Sequence, residues 1–332
     1  MDAEDPLEAL PWGDMHLALA TAAQKAERDR LTHEAWGSPL TVEQFHQREL
    51  RLRSHPWCRE GMRTWLLLDD ASQVLASCET FHTDSYLRGP DGVASRGVSH
   101  AIASVYTEPA LRGHGYATHL MDLLATRLEQ EPGSSHAALL FSDVGAPLYR
   151  RSGYHEAPAF DWHLSAAGGL STHAVDALLC DGDVPLMMER IQRPEVPFLL
   201  WPSAAQIDWH LERERAYAEL LRRPRPEACG ATVGTSTVLW AMMARYGQLV
   251  VLMLDAETVE DAVALLEAAR GVAHRAGLSR VVVWEEPSTL AWVARVPGAS
   301  RVARDGSLPM LRPLRPGLPA AERVGFSRAL WV

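Results

Sequence analysis

V-S-H-A-I-A-S-V-Y-T-E-P-A-L-R-G-H-G-Y-A-T-H-L-M-D-L-L-A-T-R-L, residues 98–128, is the stretch whose reading decides the fold. It reads as an apolar strand, a turn opening at Pro109, a glycine-punctuated loop and an amphipathic helix. The helix follows from spacing: Ala117, Leu120, Met121, Leu124 and Leu128 recur on one face, with Asp122, Arg127 and Glu129 off it. The loop Arg112-Gly113-His114-Gly115-Tyr116-Ala117 offers backbone N–H groups at a helix N-terminus with few bulky side chains in the way. Unpaired donors and the positive end of the helix dipole then point the same way, which is the chemistry of an anion site. Two common nucleotide loops do not fit. There is no G-K-[ST], and the third glycine of G-x-G-x-x-G would fall at Thr118.

What the loop does fit is R-x-x-G-x-A after a strand ending in V-x-T (Val105, Thr107) and a proline. This resembles motif A of the GNAT superfamily of acetyl-CoA-dependent N-acetyltransferases. The resemblance implies an α/β (α+β) fold: a central mixed sheet flanked by helices, with the acyl carrier held along the strand and the loop. Val105 and Thr107 would lie along the pantetheine arm. Arg112, Gly113, His114, Gly115, Tyr116, Ala117 and Thr118 would hold the pyrophosphate of coenzyme A. The alternative is an ordinary strand-turn-helix with a convenient glycine turn.

Working outward, the 332 residues are too many for one small domain and suit two. With 47% hydrophobic and 22% charged residues, the chain can bury a full core. A net charge of −10 argues against nucleic acid or an anionic membrane surface as partner. It is compatible with a cationic amine. Cys58, Cys78, Cys180 and Cys229 are scattered without C-x-x-C spacing, so they read as reduced thiols of a cytoplasmic protein. The acidic opening M-D-A-E-D-P is unlike a signal peptide, and no apolar run reaches membrane-span length. The histidines nowhere form H-x-x-x-H, so no metal is expected.

Pattern places a strand at 15–19, helices at 22–35 and 42–54, a hairpin of strands at 64–68 and 73–81, and a polar loop at 82–97. A further strand at 137–141 precedes a short helix stopped by Gly153. The small-residue run S-A-A-G-G-L-S, residues 165–171, marks a boundary between an acetyltransferase domain (1–165) and a second, smaller α/β unit (172–332). There the pattern predicts a helix at 208–221 with Asp208 as N-cap, a hairpin of 233–243 with 248–254, a helix at 259–276 and a strand at 280–284. That order echoes the first half without a phosphate cradle, so this unit is expected to cap the substrate pocket.

Amine acetylation sets its own demands. An ε-amine titrates near 10.4, so recovering its lone pair at neutral pH costs roughly 4 kcal/mol unless the site supplies a base. Glu79, alone in the apolar strand that carries S-C-E-T, is the first candidate base, taking the amine proton directly or through a water or simply binding the ammonium; a core carboxylate paired with an arginine is its alternative. Asp143, just past the next strand, is a second acidic candidate for binding the amine, and His100 reads as a packed core histidine. A-P-L-Y-R-R-S-G-Y resembles the GNAT segment F-Y-x-x-x-G-F/Y, with Leu148 where an aromatic is expected. That resemblance implies Tyr149 as the acid that protonates the departing thiolate; the alternative is a tyrosine packed under the cofactor.

A-S-C-E-T (76–80), I-A-S-V-Y-T (102–107), R-G-H-G-Y-A and F-S-D-V-G (141–145) together are similar to the fungal lysine N6-acetyltransferases. So are I-D-W-H-L-E-R from Ile207, the tryptophan strand at Trp240, V-V-V-W-E around Trp284 and D-G-S-L-P-M from Asp305. The resemblance implies free lysine as acceptor. Another small-molecule, peptide or protein amine, and a non-catalytic acetyl-CoA-binding module, remain the alternatives.

Overall fold

The computed structural model describes residues 15–131, 135–167 and 175–332. The first half of the chain runs β1 (His16–Leu19), α1 (Ala22–Trp36), α2 (Val42–Ser54), α3 (Pro56–Gly61), β2 (Arg63–Leu68), β3 (Val74–Arg88), β4 (Ala94–Tyr106), α4 (Tyr116–Glu129), β5 (Ser135–Ser142), α5 (Pro147–Arg151) and β6 (His155–Glu156). The second adds β7 (Phe160–Ser165), β8 (Ala177–Leu179), α6 (Val184–Arg190), β9 (Phe198–Trp201), α7 (Ala204–Leu220), β10 (Gly230–Val233), β11 (Ser236–Met243), β12 (Gln248–Asp255), α8 (Val259–Arg275), β13 (Arg280–Trp284), α9 (Leu290–Val293), β14 (Ser300–Ala303) and β15 (Leu308–Pro313). These form two mixed sheets. One has the order β1-β2-β3-β4-β5-β15-β6 with β9 alongside β3; the other has the order β14-β7-β13-β12-β11-β10-β8.

Local chemistry sets the early helices. Thr21 and Thr41 each accept from the N–H of Gln24 or Gln44, and each glutamine side chain returns to the threonine N–H at 2.9–3.0 Å. These reciprocal caps satisfy donors that a bare helix end leaves open. The central helix α4 lays Leu120, Met121, Leu124 and Leu128 against Cys78, Ile102 and Leu140 of the first sheet. Each leucine so buried contributes about 1.5–3 kcal/mol. In the second half α8 covers its sheet in the same way, with Leu265, Leu266, Ala269 and Val272 against Trp240, Val251 and Val281.

Several expectations change. The polar stretch 82–97 is a hairpin, not a loop: β3 and β4 stay paired from Thr80↔Ile102 to Arg88↔Ala94. Its small polar residues are buried because each finds a partner. Thr83 Oγ1 donates to Gln206 Oε1 at 2.7 Å, Ser99 Oγ donates to Ser85 Oγ at 3.0 Å, and Ser85 Oγ lies 3.0 Å from His136 Nδ1. The helix expected from residue 208 begins at Ala204, capped by Ser203. Asp208 sits inside it and faces His55 at 3.0 Å and Arg215 at 2.9 Å. The strand expected at 233–243 is broken at Gly234, whose φ of +55° turns β10 into β11.

Part of the 165–171 boundary lies outside the described residues. Around it the sheets exchange strands: β7 joins the second sheet, while β9 and β15 return to the first. The two halves are therefore interlocked. No described helix is long and apolar enough to cross a membrane.

Candidate active site

The site is built where two parallel strands part. β4 and β5 pair only as far as Ile102↔Leu140. Past that point β5 keeps only β15, its partner on the other edge throughout, with Phe141 opposite Pro309 and Ser142 opposite Leu308. Residues 103–106 are thus left paired on their β3 side only. The same stretch carries a bulge: Ser77 faces Tyr106 and Glu79 faces Ala103, so β4 has one residue more than β3. Ser104 takes up the excess with a φ of +54°. A non-glycine residue there costs on the order of 1–3 kcal/mol and persists only when its surroundings hold it.

Arg28 of α1 holds it. Its Nη2 donates to the Ser104 carbonyl at 2.7 Å, its Nε to Ser77 Oγ at 3.0 Å and its Nη1 to Glu79 Oε1 at 3.0 Å. Glu79 is therefore a buried carboxylate ion-paired to an arginine beside the bulge, 4% exposed. Sequence reading missed Arg28: α1 carries charges all round, so its inward arginine looks like its outward ones.

Beyond the bulge the chain passes a single 3₁₀ turn, Pro109–Leu111, and enters the glycine loop. Gly113 and Gly115 have φ of +83° and +76°, the left-handed region that side chains resist. Gly115 is the N-cap of α4 and provides no capping side chain, so first-turn N–H groups remain for a ligand. Arg112 Nε donates to the Thr107 carbonyl at 3.0 Å, and the His114 and Tyr116 rings stack at 5.6 Å. Thr107 Oγ1 is buried without a partner among the described residues. A strand open on one side, an orphan hydroxyl and an uncapped helix start suit a long, amide-bearing, anionic ligand such as coenzyme A.

Next to the parted strands lies a cavity of about 300 Å³. Its wall on the first-sheet side includes Glu79, Ser104, Val105, Asp143 and Tyr149. Tyr149, on α5, is 7% exposed and edge-on to Tyr154 at 6.1 Å. Burial, with the Cys78 thiol and the Asp143 carboxylate nearby, pushes its phenol up to about 12, so it keeps its proton at neutral pH. Asp143 Oδ1 accepts from the Ser307 N–H at 2.7 Å. His100 lies elsewhere, buried on the α4 side with Nε2 at 2.9 Å from Ser135 Oγ. Burial and the neighbouring His82 ring bring it down to about 3. His82, His100 and Glu131 place one possible ligand atom each within 4.8 Å of one another, a cluster that no sequence spacing announced.

The opposite wall comes from the second half: Trp209, Arg213, Glu214 and Tyr217 of α7, then Met243, Tyr246 and Trp331. Helix α7 is fixed against α2, where Arg48 Nη1 donates to the Tyr217 hydroxyl at 2.5 Å and Gln44 Nε2 to the Leu220 carbonyl at 2.9 Å. Arg51 completes the seam with ion pairs to Glu212 and Glu219. Around the cavity most charges are paired: Arg53 with Asp29, Arg48 with Glu49, Arg28 with Glu79. Glu214 is different. Burial raises its carboxyl to about 7 against the pull of Arg213, the Ala244 backbone, Arg328 and Arg48.

Residues 28–154 match the family model of the acetyltransferase (GNAT) family, and residues 155–326 match that of the LYC1 GNAT-like C-terminal domain. A Yarrowia lipolytica protein named lysine acetyltransferase is 23% identical over 83% of this chain and 85% of its own length. Among solved structures, a probable N-acyltransferase from Enterococcus faecalis aligns with a TM-score of 0.58 at 15% identity, over 91% of this chain and 73% of that one. A GCN5-related N-acetyltransferase from Kribbella flavida aligns at 0.54 and 19% identity, over 91% and 72% of the two chains. At these identities the structures speak for the fold, while the two family models together span the parted strands, the glycine loop and the second half. The chain belongs to the GNAT family of acetyl-CoA-dependent N-acetyltransferases, with a LYC1-like C-terminal domain.

Proposed function

We propose that this enzyme acetylates the side-chain amine of a small molecule, with free L-lysine the favoured acceptor. The observation that carries the reading is the parting of β4 from β5 beside a cavity whose other wall comes from the second half. The similarity to a lysine acetyltransferase over most of both chains supports lysine over other amines.

Acetyl-CoA, when bound, supplies an activated acyl carbon. Val105 and Thr107 border its pantetheine arm, and the loop from Arg112 through Gly113, His114, Gly115, Tyr116 and Ala117 to Thr118 receives the pyrophosphate. The N–H groups of the bulge, on the strand side without a partner, are donors held in place before reaction, which is the cheapest way to stabilise developing negative charge. Arg28 fixes that bulge through the Ser104 carbonyl. Glu79 takes the proton of the incoming ammonium, directly or through a water, and Asp143 adds negative charge to the cavity wall that attracts it. Tyr149 holds a proton at its phenol oxygen for the departing sulfur.

The test is an amine panel with acetyl-CoA, following thiol release for lysine, ornithine, polyamines and a lysine peptide. Lysine as the best substrate by kcat/KM is the expected result; a preferred peptide or polyamine would replace it as acceptor.

A further inference from the structure

Two ionisable groups in the cavity wall form no ion pair among the described residues, although each feels the other's charge and the Glu214 carboxyl also meets the Ala244 backbone. Arg213 and Glu214 are neighbours on α7, each 6% exposed, and both line the cavity. Consecutive residues of a helix project about 100° apart, so they do not face each other. Among the described residues neither forms an ion pair, whereas Arg28, Arg48 and Arg53 each hold a carboxylate and Arg245 donates to the Trp36 carbonyl at 2.7 Å. The Arg213 guanidinium lies 5.3 Å from the Trp209 ring and 4.8 Å from the Trp331 ring. Those rings orient the fork but accept none of its hydrogens. Its Nη2 is buried without a partner among the described residues.

A buried ionisable group without an ion pair is costly, and here a guanidinium and a carboxyl in that state line one cavity side by side. We infer that Arg213 and Glu214 form a clamp for the α-carboxylate and α-ammonium of a free amino acid, turning its side-chain amine toward the parted strands. The inference rests on the acetyltransferase reading above and narrows its substrate class. A ligand with a carboxylate and an ammonium on one carbon pairs both residues at once. A diamine leaves Arg213 unpaired, an ω-amino acid leaves Glu214 unpaired, and a lysine within a peptide leaves both. The raised carboxyl of Glu214 fits, since a group held near neutrality in the empty site ionises fully when an ammonium arrives.

Three acceptors of equal reach separate the possibilities: lysine, 1,5-diaminopentane (no carboxylate) and 6-aminohexanoate (no α-ammonium), each assayed with acetyl-CoA by thiol release. Hydrogen bonds to charged partners predict that lysine exceeds each truncated amine by about 10- to 100-fold in kcat/KM. Arg213→Gln should erase the preference over 1,5-diaminopentane while keeping that over 6-aminohexanoate, and Glu214→Gln should do the reverse. Should either variant fail to fold, the comparison of the three amines on the unmodified enzyme still decides. Equal kcat/KM for all three, or variants that slow all three alike, overturns the clamp and leaves the acetyltransferase reading standing. No turnover of any amine overturns that reading and the clamp with it.

Discussion

Replacing Glu214 by glutamine should make the ligand-free protein more stable, and increasingly so as pH rises. The carboxyl titrates near 7 in the fold against an ordinary value of 4.5. Between those values the folded chain holds a proton that the unfolded chain has released. Stability from this group is therefore fully present below 4.5 and is lost as pH climbs through 7. At about pH 8 the loss amounts to roughly 3 kcal/mol, at about pH 5.5 to roughly 1 kcal/mol. Glutamine keeps the shape and carries no charge, so the variant escapes the loss. Its advantage over the parent should widen by about 2 kcal/mol between these two pH values. Thermal melts of both proteins at both pH values, without acetyl-CoA or amine, read this directly as a gap in Tm that opens with pH. The groups that oppose the shift, Arg213, Arg48, Arg328 and the Ala244 backbone, are common to both proteins. A gap of constant size, or a variant less stable than the parent at pH 8, would refute the reasoning.

Tyr149→Phe should lower kcat by about 10²-fold or more with the acetyl-CoA KM nearly unchanged, because only the transferred proton is removed; an unchanged kcat takes the acid role away from the phenol. Gly115→Val places a β-branched side chain at a φ of +76° at the helix start proposed to receive the pyrophosphate, so calorimetric affinity for coenzyme A should fall at least about tenfold. Arg28→Met strands Glu79 as a buried unpaired carboxylate and releases the Ser104 carbonyl, which should cost about 3–5 kcal/mol in denaturant unfolding. A loss under about 1 kcal/mol would mean that the bulge holds itself.

How much could be read from sequence depended on whether a residue's role was set locally. The strand, turn, glycine loop and helix of residues 98–128 were legible because periodicity and glycine placement act within a few residues. Helices α1 and α2 were legible in the same way, the local pattern giving 22–35 and 42–54 where the structure has Ala22–Trp36 and Val42–Ser54. The long β3–β4 hairpin was hidden by small polar residues whose partners, Gln206 and His136, lie far along the chain. Strand β15 was hidden because a short segment near residue 310 gains its place only beside β5. The site divided the same way. Gly113, Gly115, Glu79 and Tyr149 stood out against their neighbours. Arg28, Arg213 and Glu214 sit in helices so rich in charge that the inward residues look like the outward ones, and only packing tells them apart.

The account stands or falls on where the acyl carrier lies, and a crystal structure of the enzyme with coenzyme A measures that directly. The predicted result is a pantetheine arm hydrogen-bonded to the backbone of residues 104–107 between β4 and β5, its diphosphate on the N–H groups around Gly113 and Gly115 and its sulfur near Tyr149. Coenzyme A bound away from that opening, or strands β4 and β5 drawn together along it, would contradict the account.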